Sequence, residues 1–404
     1  MDLASSSPLY CSGVIGLNRK PYRWRLLIVV LVVACCPVAA SDEVAFPDPA
    51  LLDAVSEALG IEGQDVLADD LEKLTTLVAS GCGIVDLTGI ASCTALERLY
   101  LDGNDIVDLK PLAGLTALLT LSLNGNRVVD IAPLANLRQL TSLTLHGNQI
   151  SDIELLASLT ALTSVSVGNL IDDLSPLATL PHLARLMLTV LPTADLSPLM
   201  QMDGLELLTI SSGRTLSERP AFDPTVLCRC IGLMSLRLDG YDIVAVSDLA
   251  GSVPSLRSLE LHYVGIEEIA GFDVFSELVA LTLDGVVPSS EGLDLSLLVI
   301  PSTLTSLTLE NDELDSSTML ADAPQLTRLS LKRNRITSVE PLAVLTSLRV
   351  LDLSFNPITD LTPLQGLTAL RSLTLQGVPF ERTEGSSTNH VLRELLERGV
   401  NIYY

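Results

Sequence analysis

The segment LYLDGNDIVDLKPLAGLTAL, residues 99–118, recurs almost unchanged along the chain. It returns from Leu121 as LSLNGNRVVDIAPLANLRQL and from Leu143 as LTLHGNQISDIELLASLTAL. Counted from the first leucine of the pattern LxxLxLxxN, there are fourteen copies, and nine of the thirteen intervals between them are 22 residues long. The copies begin at Leu74, Leu96, Leu118, Leu140, Leu162, Leu183, Leu205, Leu233, Leu256, Leu278, Leu304, Leu326, Leu348 and Leu370. Such a fixed period predicts a stack of structural repeats.

Within one copy, the spacing of the apolar residues changes partway. Leu99 and Leu101 are two residues apart, which places both on one face of a short strand. The leucines that follow, at positions 109, 112, 115 and 118, are three residues apart, which suits a 3-10 or extended turn better than an α-helix. No copy can bury its own leucines, so neighbouring copies must stack. We therefore predict an α/β solenoid with short parallel β-strands on its concave face and 3-10 or extended turns on its convex face.

Asparagine recurs at the ninth position of the copy, where the chain leaves the strand and turns inward. A buried amide there can satisfy backbone groups of its own coil and of the adjacent coil, so we predict a ladder of stacked amides. The predicted rungs are Asn104, Asn126, Asn148, Asn334 and Asn356.

The cysteines of the repeat region fit core positions better than a disulfide framework. Cys82 takes the ninth position of the first copy, where we expect a small buried group in place of asparagine. Cys93 and Cys230 fall three residues before the next copy, at a core position. Cys228 has no core position, and the C-x-C that it forms with Cys230 is too little for a zinc site.

Aspartate recurs at the thirteenth position, usually just ahead of a Pro-Leu pair. The residues are Asp86, Asp108, Asp130, Asp152, Asp195 and Asp360. A row of metal ligands is one interpretation. We favour a local one, in which each carboxylate caps backbone amides at the start of the convex turn, and we predict no metal site.

The first forty residues are typical of an export signal. Arg19, Lys20, Arg23 and Arg25 precede the apolar run 26–34, small residues follow, and acidic residues begin at position 42. The run is too short for a membrane span, so we predict that residues 1–40 are a signal peptide cleaved after Ala40. The alternative is a lipoprotein signal that ends before Cys35, with possible lipidation of that cysteine as the only contact with a membrane.

The net charge of the chain is −25, and removal of residues 1–40 would leave 20 basic and 48 acidic residues, a net charge of −28. Nucleic acid is therefore excluded as a predicted partner, because binding to phosphates requires a clustered basic face. The acidity itself indicates solubility of a long, leucine-rich particle.

Helical segments flank the repeats at residues 74–380. In the N-terminal cap, residues 41–73, Asp48 and Pro49 begin a helix that Gly60 ends. In the C-terminal cap, residues 381–404, the spacing predicts an amphipathic helix over 391–398 and a last edge strand over 400–404. Caps of this kind cover the open ends of a solenoid core.

The phrase LxLxGNxIxDLxPLAGLTxL, with FPDPALLDAVSEALG ahead of it, resembles the internalin-type leucine-rich repeat proteins of bacteria. The resemblance covers residues 46 to about 380. It implies a right-handed leucine-rich repeat solenoid that is exported and binds other macromolecules, often host or cell-surface proteins, through its concave face.

The variable third, fifth and seventh positions of each copy are expected to project from the concave sheet. Small hydroxyl residues fill many of them in the N-terminal half, whereas the centre carries charged and aromatic residues. The candidate ligand-binding residues there are Arg237, Asp239, Tyr241, Glu260, His262, Tyr263, Asp284, Glu310, Lys332, Arg333 and Phe355. Asp284 and Glu310 are expected on adjacent strands, where like charges weaken a sheet, so this row is a candidate site for a basic partner or a cation. The alternative is that these acids are simply solvated.

The sequence offers no catalytic constellation and no cofactor motif. His146 and His262 are expected about 25 Å apart at the strand spacing, too far to share a proton. We therefore predict a monomeric binding module, secreted or at the bacterial cell surface, whose partner is a protein or peptide. Alternatives are a structural or assembly protein of the cell envelope and, third, a cytosolic regulatory scaffold.

Overall fold

The computed structural model describes residues 43–61, 65–213, 219–288, 295–380 and 386–404. The predicted signal peptide with Cys35 and Ala40 lies outside the described residues, as does the start of the predicted C-terminal cap at 381–385. Within the described residues, no helix has the length and apolar character needed to cross a membrane.

Successive repeats contribute parallel strands to one continuous sheet, which has fifteen strands over the described ranges. The strands of the chain, in order, are β1 Thr76–Val78, β2 Arg98–Tyr100, β3 Thr120–Ser122, β4 Ser142–Thr144, β5 Ser164–Asp173, β6 Arg185–Asp195, β7 Leu207–Ser211, β8 Ser235–Asp239, β9 Asp242–Ala245, β10 Ser258–His262, β11 Gly265–Glu268, β12 Ala280–Asp284, β13 Val287–Pro288, β14 Ser306–Glu310, β15 Arg328–Ser330, β16 Val350–Asp352, β17 Ser372–Thr374 and β18 Asn401–Tyr403. Equivalent repeat positions pair in register, as Leu99 does with Leu77 and Leu121. The predicted parallel sheet is confirmed.

The chain returns along the convex side through short helices. The 3-10 helices span Ile90–Ser92, Lys110–Leu112, Ala132–Asn136, Glu154–Ser158, Ser197–Gln201, Pro224–Leu227, Phe272–Val274, Leu295–Leu297, Thr318–Asp322, Glu340–Val344 and Thr362–Gly366. The α-helices are α1 Pro49–Leu59, α2 Ala68–Leu71, α3 Ser175–Ala178, α4 Val246–Ser252 and α5 Ser387–Glu397. The strand and 3-10 leucines of successive coils share one buried core, with the side chains of Leu99, Leu121 and Leu143 fully buried.

Each recurring aspartate lies just before a convex helix and accepts a backbone hydrogen bond from the residue two positions later. Asp130 accepts from the amide of Ala132 at 2.8 Å, and Asp195 accepts from that of Ser197 at 2.8 Å. The same bond is made by Asp86, Asp108, Asp152 and Asp360. These carboxylates therefore satisfy amides that the start of a helix leaves without a partner.

The amide ladder joins neighbouring coils through their backbones. Asn126 donates to the carbonyl of Leu101 in the preceding coil at 2.9 Å and to that of Leu123 in its own coil at 3.0 Å. Its side-chain oxygen accepts from the amide of Ile106 at 3.1 Å. Asn104, Asn148, Asn334 and Asn356 make the equivalent bonds. Each asparagine side chain thus satisfies three backbone groups in the interior by hydrogen bonds.

In the central repeats, a second sheet supplies the hydrogen bonds that the asparagine ladder makes elsewhere. Strands β9, β11 and β13 form a parallel three-stranded sheet in the described part of the chain. The residues just before them occupy the ninth repeat position and are the buried Tyr241, Val264 and Val286. Backbone pairing, such as the 2.8 Å bond from the Gly265 amide to the Tyr241 carbonyl, replaces the missing side-chain amide.

Asp312 stands at the junction between the second sheet and the C-terminal ladder. It occupies the ninth position of its repeat, is 7% exposed, and accepts from the amide of Val286 at 2.8 Å. Its own amide donates to the Asn334 side chain at 3.2 Å. Burial raises the pKa of Asp312 to about 8, and the charges of Asp284 and Glu310 add to the rise. A protonated carboxyl can donate where the amide of an asparagine rung donates.

The N-terminal cap is fastened to the first repeat by Asp48. One carboxylate oxygen caps α1 at the amides of Ala50 and Leu51, and the other accepts from the amides of Val85 and Asp86 at 2.8 and 3.0 Å. Burial by itself would raise the pKa of Asp48, but the hydrogen bonds from these four amides hold that pKa below its usual value. At the other end, β18 pairs with β17 as the last strand of the sheet.

The cysteines separate into buried and exposed pairs. Cys93 and Cys230 are buried, and burial raises the pKa of their thiols to about 12 and about 11. Cys228 is exposed. The expectation of a buried Cys82 was wrong, because this side chain is exposed and lies 3.6 Å from the Ser80 carbonyl. No repeat precedes the first one, so its ladder position contacts no earlier coil, and the N-terminal cap leaves the Cys82 side chain exposed.

Candidate binding surface

The strands in the middle of the concave sheet, from β5 to β14, are longer than those toward its two ends. Strands β8, β10, β12 and β14 have five residues each, whereas β2 to β4 and β15 to β17 have three. The longer strands hold the seventh repeat position within the sheet, so Asp239, His262, Asp284 and Glu310 stand side by side in register. We call the six residues Arg237, Asp239, Glu260, His262, Asp284 and Glu310 the central strip.

His262 lies at the middle of the central strip, and its side chain is 13% exposed. Its Nδ1 is 3.3 Å from a carboxylate oxygen of Asp284, and its Nε2 is 3.5 Å from one of Glu260. Contact with the His262 ring lowers the pKa of Glu260 below its usual value. The imidazole therefore lies between two acids, with Asp239 on the adjoining strand.

Arg237 is the one guanidinium within the six residues of the central strip. It lies 3.3 Å from Glu260 and 3.9 Å from Asp239, with 41% of its side chain exposed. Burial raises the pKa of Asp239 above its usual value, although the neighbouring Arg237 and His262 oppose the rise. One arginine against four carboxylates leaves the strip negatively charged.

Asp284 and Glu310 were expected on adjacent strands, where their like charges would weaken the sheet. The two residues do pair across β12 and β14, but each has its own hydrogen-bond donor. Asp284 accepts from the side chain of Asn311 at 2.6 Å, and Glu310 accepts from the hydroxyl of Ser330 at 2.5 Å. The sequence reasoning missed Asn311 and Ser330, which position the acids. The only sign of them in the sequence is that each is a polar residue in the repeat that follows the acid it contacts.

Tyr241 was wrongly predicted as a concave surface residue. It is 2% exposed, lies in the ladder position behind the sheet, and packs edge-on against Phe222 with ring centroids 5.6 Å apart. Burial raises the pKa of its hydroxyl. Its side chain instead lines a cleft of about 270 Å³ on the flank, next to Pro192 and Pro220.

The remaining candidates follow the central strip at the end of their strands. Tyr263, Arg333 and Phe355 have positive φ angles of 51°, 56° and 56° at the eighth position, where seven of the fourteen repeats have glycine. Tyr263 is 43% exposed and Phe355 is 42% exposed. The Arg333 guanidinium lies 5.6 Å from the Phe355 ring centroid. Lys332 is half-buried and accepts a backbone bond from Asn311 at 3.3 Å.

The hydroxyl-rich N-terminal half contains a hydrogen-bonded network that sequence analysis did not identify. Ser122 contacts Asp102 at 2.5 Å and the Thr144 hydroxyl at 2.7 Å. Asn124 donates to Thr144 at 2.8 Å and accepts from the backbone of His146 at 2.9 Å. These polar groups satisfy one another, so this half of the sheet offers fewer unused donors and acceptors to a partner than the hydroxyl count indicates.

Comparison with known families supports this architecture. The family described as "Leucine Rich repeats (2 copies)" matches residues 94–136, 116–155, 138–179, 324–366 and 346–383. The matched stretches are those that carry the asparagine ladder, on either side of the central strip. By sequence, no curated protein matches the chain.

Three solved structures share the fold. An internalin (inlF) of Listeria monocytogenes is 28% identical, covers 89% of this chain and 95% of its own, and has a TM-score of 0.58. The functional domain of InlJ from the same species is 18% identical over 82% of this chain and 80% of its own, with a TM-score of 0.52. A leucine-rich repeat protein of Leptospira interrogans is 17% identical over 83% and 97%, with a TM-score of 0.56.

The repeat sequence, the parallel sheet and the convex 3-10 turns define a leucine-rich repeat protein. The chain resembles the internalin type of bacterial leucine-rich repeat proteins, since its similarity to the Listeria internalin extends over 89% of this chain and 95% of the other.

Proposed function

We propose that the protein is an exported binding module whose central strip recognises a basic segment of a protein or peptide. The observation that carries this proposal is the register of Asp239, Asp284 and Glu310 on neighbouring strands, with Glu260 beside them. The fold holds these acids in fixed positions, so a partner with lysine or arginine side chains meets a preorganised negative surface.

Aromatic exposure supports the same surface. Tyr263 adjoins the central strip and leaves 43% of its surface exposed at the end of β10. Tyrosine is enriched in the energetically dominant positions of protein interfaces. It also offers a ring face to a cationic side chain, an interaction that adds to the carboxylate contacts.

The test presents the full chain to an array of random peptides, so that the identity of the natural partner is not required. We expect the bound peptides to be enriched in lysine and arginine. Combined reversal of Glu260→Lys, Asp284→Lys and Glu310→Lys should reduce binding of those peptides at least tenfold, because three attractive charges become repulsive.

The matched control reverses three exposed acids elsewhere, with Asp53→Lys, Glu57→Lys and Glu267→Lys. It changes net charge by the same amount and should leave binding intact. Equal loss in both variants would indicate nonspecific attraction. Unchanged binding by the strip variant would contradict the proposal and favour the alternative, an assembly protein of the envelope that uses its other surfaces.

The export part of the proposal depends on the basic and apolar segment of residues 19–34. Mass measurement of the mature chain tests it: a start at Ser41 supports a cleaved signal peptide, and a lipid on Cys35 supports an anchor. Retention of the first forty residues would contradict export and favour a cytosolic scaffold.

A further inference from the structure

A basic cleft lies at the C-terminal end of the solenoid, where the chain enters its last three strands. Its volume is about 500 Å³, and its charged lining residues are Arg349, Arg371 and Arg398. Thr368 and Asn401 add a hydroxyl and a side-chain amide, and no carboxylate lines it in the described part of the chain. In a chain with 49 acidic and 24 basic residues, three arginines around one cleft form a local concentration of positive charge.

Two of these arginines occupy the second position of neighbouring repeats. The Arg371 amide donates to the Arg349 carbonyl at 2.8 Å, so the two residues precede adjacent parallel strands β16 and β17. Like charges side by side on adjacent strands destabilise a sheet. Over the ranges that the structure describes, neither guanidinium has a carboxylate within the 4.0 Å of an ion pair.

A comparable arginine elsewhere in the sheet is neutralised. Arg257 also occupies the second position of its repeat, and it lies 3.4 Å from Glu277. This ion pair shows that a carboxylate can be placed next to an arginine at the second repeat position. At the C-terminal end the sequence instead places Arg349 and Arg371 next to a third arginine.

Arg398 is held in place from the opposite side. It follows helix α5, and its guanidinium donates to the carbonyls of Gln365 and Leu367 at the end of the last 3-10 helix. These bonds neutralise no charge, and they fix the direction of the guanidinium. The two arginines that precede β16 and β17 and the one that follows α5 thus line the cleft from different elements.

We propose that this cleft is a binding site for a tetrahedral oxyanion, a phosphate or sulfate group. Four oxygens arranged as a tetrahedron accept charge-assisted hydrogen bonds from several guanidiniums at once, whereas a planar carboxylate is matched by one arginine. The bound anion removes the repulsion between Arg349 and Arg371. The site is separate from the central strip, has the opposite sign of charge, and does not depend on the proposed function.

Calorimetric titration of the full chain with inorganic phosphate tests the proposal, with sulfate and acetate as parallel ligands and ionic strength held constant with sodium chloride. We expect phosphate and sulfate to bind, and acetate to bind at least tenfold more weakly. The double variant R349Q/R371Q should lose at least tenfold in phosphate affinity. Arg398 is left unchanged because its backbone bonds also hold the C-terminal cap.

The control variant R257Q removes an arginine at the same repeat position, but one that is already paired. It should bind phosphate as the unaltered chain does. The proposal is overturned if phosphate produces no binding heat beyond that of chloride, if acetate binds as tightly as phosphate, or if R257Q weakens binding as much as R349Q/R371Q. Circular dichroism of each variant verifies that the fold is retained.

Discussion

The asparagine-bearing repeats and the central repeats satisfy the backbone groups at the end of the concave strand in two different ways. Around Asn126 and Asn334, a side-chain amide bonds the backbone where the chain leaves the strand. Around Val264 and Val286, a second parallel sheet supplies those bonds, and the ladder position becomes apolar. The concave strands of these repeats also have five residues instead of the three of β2 to β4, so the seventh repeat position and the central strip lie within the sheet.

The largest expected effect comes from replacing a ladder asparagine by valine, the residue that occupies the same position in two of the central repeats. Asn126→Val removes a donor from two buried carbonyls and an acceptor from the amide of Ile106. We expect a loss of about 3–5 kcal/mol in the free energy of unfolding, because the groups left unpaired stay buried. Urea denaturation followed by circular dichroism measures it. Val264→Ala in the second sheet is the comparison, and an equal or larger loss there would contradict the distinction.

A smaller effect is expected at the junction of the two regions. The pKa of Asp312 is raised to about 8 in the folded protein, so the folded state binds more protons than the unfolded state between about pH 4 and pH 8. Stability therefore decreases as the pH rises through this window. Asp312→Asn supplies the missing donor without a proton and should stabilise the protein at pH 8 by about 2–3 kcal/mol.

The contrast with pH 4 is the control for Asp312. At that pH the carboxyl is protonated in the fold, so the asparagine variant should have little advantage. Asp284 and Glu310 lie close to Asp312, so the variant is compared with the unaltered chain at each pH. An advantage of the same size at pH 4 and pH 8 would contradict the assignment.

The convex caps should behave alike in both regions. Asp130 lies beside the N-terminal ladder and Asp223 beside the central repeats, and each accepts a backbone bond, at 2.8 and 2.9 Å. Replacement of either by alanine should cost about 1 kcal/mol, a typical value for a helix cap. Chemical denaturation of the two variants gives the comparison. A threefold difference between them would extend the contrast between the regions to the convex side.

The smallest effect is expected in the central strip. Arg237→Gln breaks the contact with Glu260, but both side chains are more than one-third exposed, at 41% and 37%. Exposed ion pairs contribute about 0–1 kcal/mol, so the melting temperature should change little. A large loss would mean that the central strip holds the fold together, which would weaken its assignment as a binding surface.

The sequence was sufficient for the architecture because its period was explicit. The leucine spacing predicted the parallel strands and the 3-10 turns, and the aspartates predicted the caps. The second sheet was not predictable in the same way, since β9, β11 and β13 pair residues from repeats of unequal length. That pairing depends on how the longer repeats stack, which no local pattern specifies.

The candidate site was predictable in part for a related reason. Repeat counting placed Asp284 beside Glu310, and register alone accounts for that. It did not locate Asn311 and Ser330, because side-chain partners depend on rotamers and not on periodicity. Tyr241 was misplaced because it was grouped with the surface residues beside it, although it occupies the ninth repeat position, which is buried.

The attachment of helix α1 to the first repeat affects where the solenoid begins to unfold. A solenoid frays from its ends, because each coil is held by its neighbours. Asp48 bonds four amides of two separate elements, and with its lowered pKa it keeps them joined until the medium becomes acidic enough to protonate it. Proton uptake at this residue therefore weakens the attachment of the helix to the first coil, and we expect acid unfolding to begin at that end.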